Sequence, residues 1–285
     1  MMRSRVSRRV SRIVILSIFI SLLIGLSIFQ QTPSRYSHDT LNTGFDGLYD
    51  LWRYSRARLI LSLEDLARVE SARTLLIIAR DDPLNSNEIN EVIDFARRGG
   101  LVIAYGSREF VNELLKQIVL YKEPMYPLYD VVSNKGSKDI VRAFIKPPEC
   151  GVQEIVLEDP YSSPQNIPNT YISSSSFAYL DLDENGYYDL GEPQGVFSLA
   201  TRSRVGEGEV IIIFSKYFLE NSLLSYNVKY FDCLRSNRSV VIDQSFLSSD
   251  PAERFKHVIR GGIESTYVII LLGVLLVISY YARER

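Results

Sequence analysis

Two uncharged apolar runs, one near each end, constrain this chain more than any other feature. The first is Ile13 to Phe29 and the second Thr266 to Ala282. At about 1.5 Å of rise per residue each reaches roughly 26 Å as a helix, near the ~30 Å hydrocarbon thickness of a bilayer. A helix satisfies its own backbone polar groups, so each run (13–29 and 266–282) is expected to be a transmembrane helix. Arg3, Arg5, Arg8, Arg9 and Arg12 precede the first run, and Arg283 and Arg285 follow the second. By the positive-inside rule the tails 1–12 and 283–285 are expected in the cytoplasm and residues 30–265 outside, a two-pass cell-membrane protein. The SIFQQTPS stretch offers no A-x-A-like cleavage site, which favours an anchor over a cleaved signal peptide.

Charge narrows the partners. The chain has 32 Lys+Arg and 34 Asp+Glu; setting aside the seven terminal arginines and Glu284 leaves 25 basic and 33 acidic residues between the runs. An acidic excess argues against nucleic acid and against a surface lying flat on anionic lipid. Cys150 and Cys233 both fall in this middle part. An even count permits a disulfide there without showing one.

Periodicity gives the fold class. Phe45, Leu48, Leu51 and Trp52 recur at helical spacing, so a helix is expected over 44–56. Thr74 to Ala79 (TLLIIA) and Leu101 to Tyr105 (LVIAY) are unbroken apolar runs, as in strands buried on both faces. Between them Ile89, Val92, Ile93 and Ala96 form a helical stripe that Gly99-Gly100 ends, and a second helix is expected over 109–119. EVIIIFS (209–215) and Val240-Val241-Ile242 read as further buried strands, with a helix over 218–234 between them and a short amphipathic one over 251–260. The Pro-, Ser- and Tyr-rich stretch 121–176 reads as extended segments and long loops. Strands alternating with helices predict an α/β domain, an open, mostly parallel sheet flanked by helices, set between two transmembrane helices.

One motif is chemically specific. Asp181-Leu182-Asp183-Glu184-Asn185-Gly186 with Glu192 matches D-x-[DN]-x-[DN]-G-x₅-E at every fixed position. Calcium takes six to eight oxygens at about 2.3–2.6 Å, and this spacing wraps them around one point. The expected ligands are Asp181, Asp183, Asn185, the backbone carbonyl of Tyr187, Asp189 and Glu192, with Gly186 making the sharp turn. Pro193 follows the last ligand and disfavours an exiting helix, so this is not an EF-hand. A structural calcium loop joining two extended segments, an insertion over about 177–200, is expected. The alternative is a metal-free acidic hairpin turn using Asn-Gly.

Catalytic residues are harder to find. His38 and His257 lie far apart and neither is spaced with another metal ligand. No G-x-S-x-G, P-loop or G-x-G-x-x-G is present. Gly106-Ser107 follows the LVIAY strand, where an α/β fold places a ligand-contacting loop. Ser107 has no assignable base, and Asp243 at the end of the VVI strand reads as a turn cap.

Several short features are shared with a known group. They are Tyr36-Ser37; Pro83-Leu84, Glu88, Phe95 and Gly99-Gly100; Gly206-x-Gly208 before EVIIIFS; Asn221; and Asp243. On these the chain resembles an uncharacterised family of membrane-anchored proteins with a degenerate class I glutamine-amidotransferase-like outer domain. Its members are typically encoded near MoxR-type ATPases, which implies a membrane-associated assembly and a flavodoxin-like layering. Lys216 stands where the family tends to be acidic, and Gln244 where a Glu usually follows the Asp. A working amidotransferase needs a cysteine after LVIAY, and Gly106-Ser107 stands there. The expectation is therefore a non-catalytic, membrane-tethered domain that binds a membrane-associated protein partner or a small ligand. The alternative is a surface hydrolase using Ser107 or Asp243.

Overall fold

The computed structural model describes residues 31–262 without a break, and Ser17, Ile20, Ser21, Ile24, Gly25, Ser27, Ile28, Phe29 and Gly273 beyond them. Most of the runs 13–29 and 266–282, and the tails 1–12 and 283–285, lie outside the described residues. Among the described residues no helix is long and apolar enough to cross a membrane. That finding overturns the expected two-pass membrane arrangement. The expectation rested on hydropathy at the lower limit of spanning length and on flanking arginines.

Residues Arg35–Ser248 form one compact unit, and the terminal segments from either end form a second. In the second, the helix Pro251–Gly262 is started by Asp250, whose carboxylate accepts from the backbone N–H of Ala252 (2.9 Å) and Glu253 (3.2 Å).

Within Arg35–Ser248 thirteen strands build one mixed sheet. Five run parallel, in the spatial order β1 (Arg58–Ile60), β13 (Ser239–Asp243), β2 (Thr74–Arg80), β3 (Leu101–Gly106) and β11 (Gly208–Ile213). The sheet continues antiparallel through β10 (Ser198–Val205), β7 (Thr170–Ser173), β5 (Ile140–Glu149), β6 (Val152–Ser162), β4 (Tyr126–Asp130), β8 (Ala178–Leu180) and β9 (Gln194–Gly195), with β12 (Ser215–Tyr217) on β6. Four pairings are parallel and eight antiparallel. The expected open, mostly parallel sheet flanked by helices is therefore corrected to a mixed, mostly antiparallel one. Residues 121–176, expected to be mainly extended segments and loops, supply four of its strands.

The parallel strands are sandwiched. Along β2, Leu75, Ile77 and Ala79 enter one apolar core and Leu76 and Ile78 the other, as the two-residue side-chain period requires. Helices α2 (Ser86–Arg97) and α3 (Arg108–Leu114) cover the second core; α4 (Leu224–Arg235) covers the first, which α1 (Tyr49–Ser55) also joins through Leu51. A capping box opens α2: Asn85 Oδ1 accepts from Asn87 and Glu88 N–H, and Glu88 accepts from Asn85 N–H. Asn221 caps α1 from a distant part of the chain, its Oδ1 accepting from Asp50 N–H at 2.9 Å.

In the antiparallel half β6 is covered on both faces at 155–157, where Ile155 and Leu157 enter the first core and Val156 packs with Tyr217 and Leu223, whereas β5 is covered mainly on one face. Residues 140–145 alternate half-buried and buried, with Val141, Ala143 and Ile145 in the first core. Strands β5 and β6 are joined by Cys150-Gly151, whose φ values of 50° and 75° suit a tight hairpin turn. Cys150 is also disulfide-bonded to Cys233 of α4.

Candidate functional site

The carboxyl ends of the parallel strands bring together residues that are far apart in the chain. After β3 the chain passes into α3, on one face of the sheet. From β11 it leads through β12 to α4, on the other. Adjacent strands whose exits part in this way leave a crevice at their carboxyl ends, the usual ligand position in α/β sheets. A cleft of about 510 Å³ lies there, lined by residues that include Asp81, Ser107, Arg108, Asp159, Tyr161 and Lys216.

Each lining residue has a structural reason to be where it is. Gly106 ends β3 at φ 149°, and a Cβ there would run into the Arg80 carbonyl, so only glycine lets β2 and β3 close up at this edge. Ser107 donates to the Asp81 carbonyl (2.5 Å) and accepts from Phe110 N–H (3.1 Å), which makes it the cap of α3. Tyr161 hangs β6 over the crevice, donating its hydroxyl to the Gly106 carbonyl at 2.9 Å. The register of β12 on β6 (Ser215 opposite Pro160, Tyr217 opposite Glu158) sets Lys216 across from Asp159. Asp159 holds φ 50°, a left-handed conformation that costs a non-glycine residue about 1–3 kcal/mol.

Behind the cleft sits a buried polar cluster. His38 Nδ1 is 2.8 Å from Glu220 Oε1, and both side chains are buried. The other ring nitrogen, Nε2, faces Asp81 Oδ1 at 3.5 Å, and Asp81 opens onto the cleft. Glu220 also accepts from Phe218 N–H at 2.5 Å. Burial lowers the affinity of His38 for its proton, but the two carboxylates outweigh it and its pKa rises to about 9. The same contact lowers Asp81. Burial raises Asp159, with help from Asp139. The end of β13 anchors the His38 segment: Gln244 donates to the His38 carbonyl (3.0 Å) and accepts from Thr40 N–H (3.1 Å).

Asp243 lies elsewhere. It is fully buried at the end of β13, 3.7 Å from Arg80, and accepts from Ser245 N–H at 2.9 Å. Burial raises its pKa against the pull of Arg80. Ser107 and Asp243, the two residues of the hydrolase alternative, thus serve a helix cap and a buried ion pair. Ser107 lines the cleft, and Asp243 is not among the residues that line it.

The acidic loop is joined to the cleft through Arg108, which lines the cleft and donates to Glu184 of the loop. β8 and β9 pair antiparallel around it, so the loop joins two strands. Carboxylate oxygens of Asp181, Asp183 and Glu192 lie within 4.8 Å of one another, close enough to ligate one ion. Asp181 is buried and accepts from Asn185 N–H (3.1 Å) and Gly186 N–H (2.7 Å). Asp189 and Asn185 are turned onto each other instead, Asn185 Nδ2 donating to Asp189 Oδ2 at 2.6 Å. Tyr187 N–H donates to Asn185 Oδ1 at 2.7 Å. Arg108 joins loop and cleft, its guanidinium donating to Glu184 (2.6 Å) and to the Met125 carbonyl (3.3 Å). Lys138 donates to the Gly186 carbonyl on the other side.

Comparison with known proteins adds little. No family model matches the chain, and no curated protein does. Among solved structures it is similar to the N-terminal domain of mmIFT52, at 14% identity and TM-score 0.39 over 61% of this chain and 81% of that one. It is also similar to a β-galactosidase from Bacillus circulans sp. alkalophilus, at 9% identity and TM-score 0.33 over 58% of this chain and 23% of the enzyme. A cytoplasmic protein from Salmonella typhimurium LT2 aligns at 14% identity and TM-score 0.31 over 65% of this chain and 78% of that one. The chain spans less than a quarter of the β-galactosidase. Likenesses at these scores carry no argument about what this chain does, and none bears on the amidotransferase-like family.

Proposed function

We propose that Arg35–Ser248 is a non-catalytic binding domain that takes a small polar ligand in the cleft at the carboxyl ends of β3 and β11. The coincidence of that cleft with the point where the chain leaves adjacent strands toward opposite faces carries the reading. The hydroxyl of Ser107 supports a binding role, because it is committed to capping α3. The size of the cleft is in the range of small-molecule sites, about 300–1,000 Å³.

The acidic loop is a structural calcium site in this reading. Asp181, Asp183 and Glu192 supply the converging oxygens, and Asn185, Tyr187 and Asp189 complete the set when the loop turns its remaining oxygens inward. Calcium there screens carboxylates that otherwise repel and fixes the loop that holds Arg108 through Glu184.

A thermal-shift screen of small polar compounds tests the binding role, with Glu109→Trp as the control that fills the cleft mouth. A compound that raises the melting temperature of the natural chain and not of Glu109→Trp supports the reading. Stabilisers that act equally on both refute it.

A further inference from the structure

We propose that the cleft selects a positively charged ligand, with Asp81 as the group that reads its ammonium; this deepens the binding role proposed above and rests on it. The Arg108 guanidinium is held by Glu184 at 2.6 Å and by the Met125 carbonyl at 3.3 Å. Lys216 lies across the strand pair from Asp159, with its ammonium 5.1 Å from the centre of the Tyr217 ring. The Arg108 guanidinium therefore already has a carboxylate partner, whereas Lys216 stands in the fields of both Asp81 and Asp159. Asp139 adds negative field at Asp159, and Asp159, Asp139 and Glu220 add it at Glu158.

Asp81 differs from these groups. About half of its side-chain surface is open (49%), while the cation that faces it, His38, is 1% exposed and pinned from behind by Glu220. A buried imidazole–carboxylate pair is costly to desolvate, and replacing such a pair by apolar residues is often neutral or stabilising. Its position here gives it a use. Glu220 orients the ring so that Nε2 points at one oxygen of Asp81, which fixes an ionised carboxylate at the cleft wall. His38 is thus a positioning residue, and Asp81 is the group that meets the ligand. An ammonium donating to that carboxylate makes a charge-assisted hydrogen bond, about twice as strong as a neutral one. An anionic ligand would have to displace Glu184 from Arg108.

Three pyranoses of nearly equal size provide the probes: glucosamine (positive), glucose (neutral) and glucuronate (negative). Their dissociation constants for the full chain are measured by saturation-transfer NMR in mildly acidic buffer with millimolar calcium. Glucosamine is expected to bind about tenfold or more tighter than glucose, and Asp81→Asn to remove that advantage. Lys216→Gln removes a competing cation and is expected to tighten glucosamine binding several-fold, which keeps the idea testable if Asp81→Asn disturbs folding. If glucose or glucuronate binds as well as glucosamine, the cleft remains a ligand site and the charge preference is refuted. If none of the three binds, the charge preference falls and the binding role loses its support with it. An unchanged glucosamine constant in a folded Asp81→Asn variant also overturns the proposal.

Discussion

His38 Nδ1 lies 2.8 Å from Glu220 Oε1, a contact between buried side chains that stand 182 positions apart in the chain. It ties the segment before α1 to the turn before α4 and places a cation behind the cleft wall. Much of what can be tested about this fold follows from it.

The contact makes stability depend on alkaline pH. His38 has a folded-state pKa of about 9 against an ordinary value of 6.5. A raised pKa means that the contribution is complete below the ordinary value and is lost as pH rises through about 9. Urea denaturation is expected to show a loss on the order of 2–3 kcal/mol between near-neutral pH and about pH 10. In His38→Gln that slope is expected to flatten, whatever its starting stability. An equally steep slope in the variant would remove His38 from the account.

Asn227 is the second buried polar anchor. From the first turn of α4 its amide donates to the carbonyls of Val156 (2.7 Å) and Phe218 (2.6 Å) and accepts from Val156 N–H (2.8 Å). Asn227→Ala strands three backbone groups away from water. A loss of about 3 kcal/mol or more in equilibrium unfolding is expected. A loss under about 1 kcal/mol would mean that water replaces the amide without cost.

The disulfide Cys150–Cys233 closes a loop with a sequence separation of 83. Restricting an unfolded loop of that length is worth roughly 4 kcal/mol in the chain-entropy model. Reduction, or Cys150→Ser with Cys233→Ser, is expected to lower the melting temperature by roughly 8–16 °C for a unit of this size. A change within measurement error would show that the hairpin turn and α4 hold their places without it.

Calcium is expected to stabilise the chain at millimolar concentration. With a dissociation constant of about 10⁻⁴–10⁻³ M, ~10 mM calcium contributes about 1.5–3 kcal/mol. Differential scanning calorimetry should show the melting temperature rising in the natural chain and staying fixed in Asp181→Asn with Asp183→Asn. A rise of the same size in both would point to nonspecific cation binding.

The parallel strands are legible in the sequence because burial on both faces writes them as unbroken apolar runs. Leu75 to Ala79, Leu101 to Tyr105 and Val210 to Ile213 carry no polar interruption. The antiparallel half leaves a weaker trace. In β5 Val141, Ala143 and Ile145 alternate with half-exposed neighbours, and Pro147, Pro148 and Pro160 fall inside β5 and β6. Those prolines and the Ser-rich 173–176 suggest loops, so the sequence understates the antiparallel pairing.

The site divides in the same way. The acidic loop is local, so its spacing marks Asp181, Asp183 and Glu192 directly. Asp81 and Ser107 end adjacent parallel strands, and an α/β reading could have singled out both as cleft residues; only Ser107 was. His38, Glu220 and Asp159 leave no local signal. His38 meets Glu220 only once β11 and its exit toward α4 are placed, and Asp159 reaches the cleft through the β6–β12 register. A strand break such as Asp159-Pro160 inside β6 is the nearest thing to a sequence cue.

The most direct test of the central claim is a crystal structure of the full chain soaked in glucosamine and calcium. The account predicts the sugar in the cleft between Ser107 and Lys216, with its ammonium nitrogen within hydrogen-bond distance of Asp81. Sugar bound only elsewhere, with the cleft holding solvent alone, would contradict it.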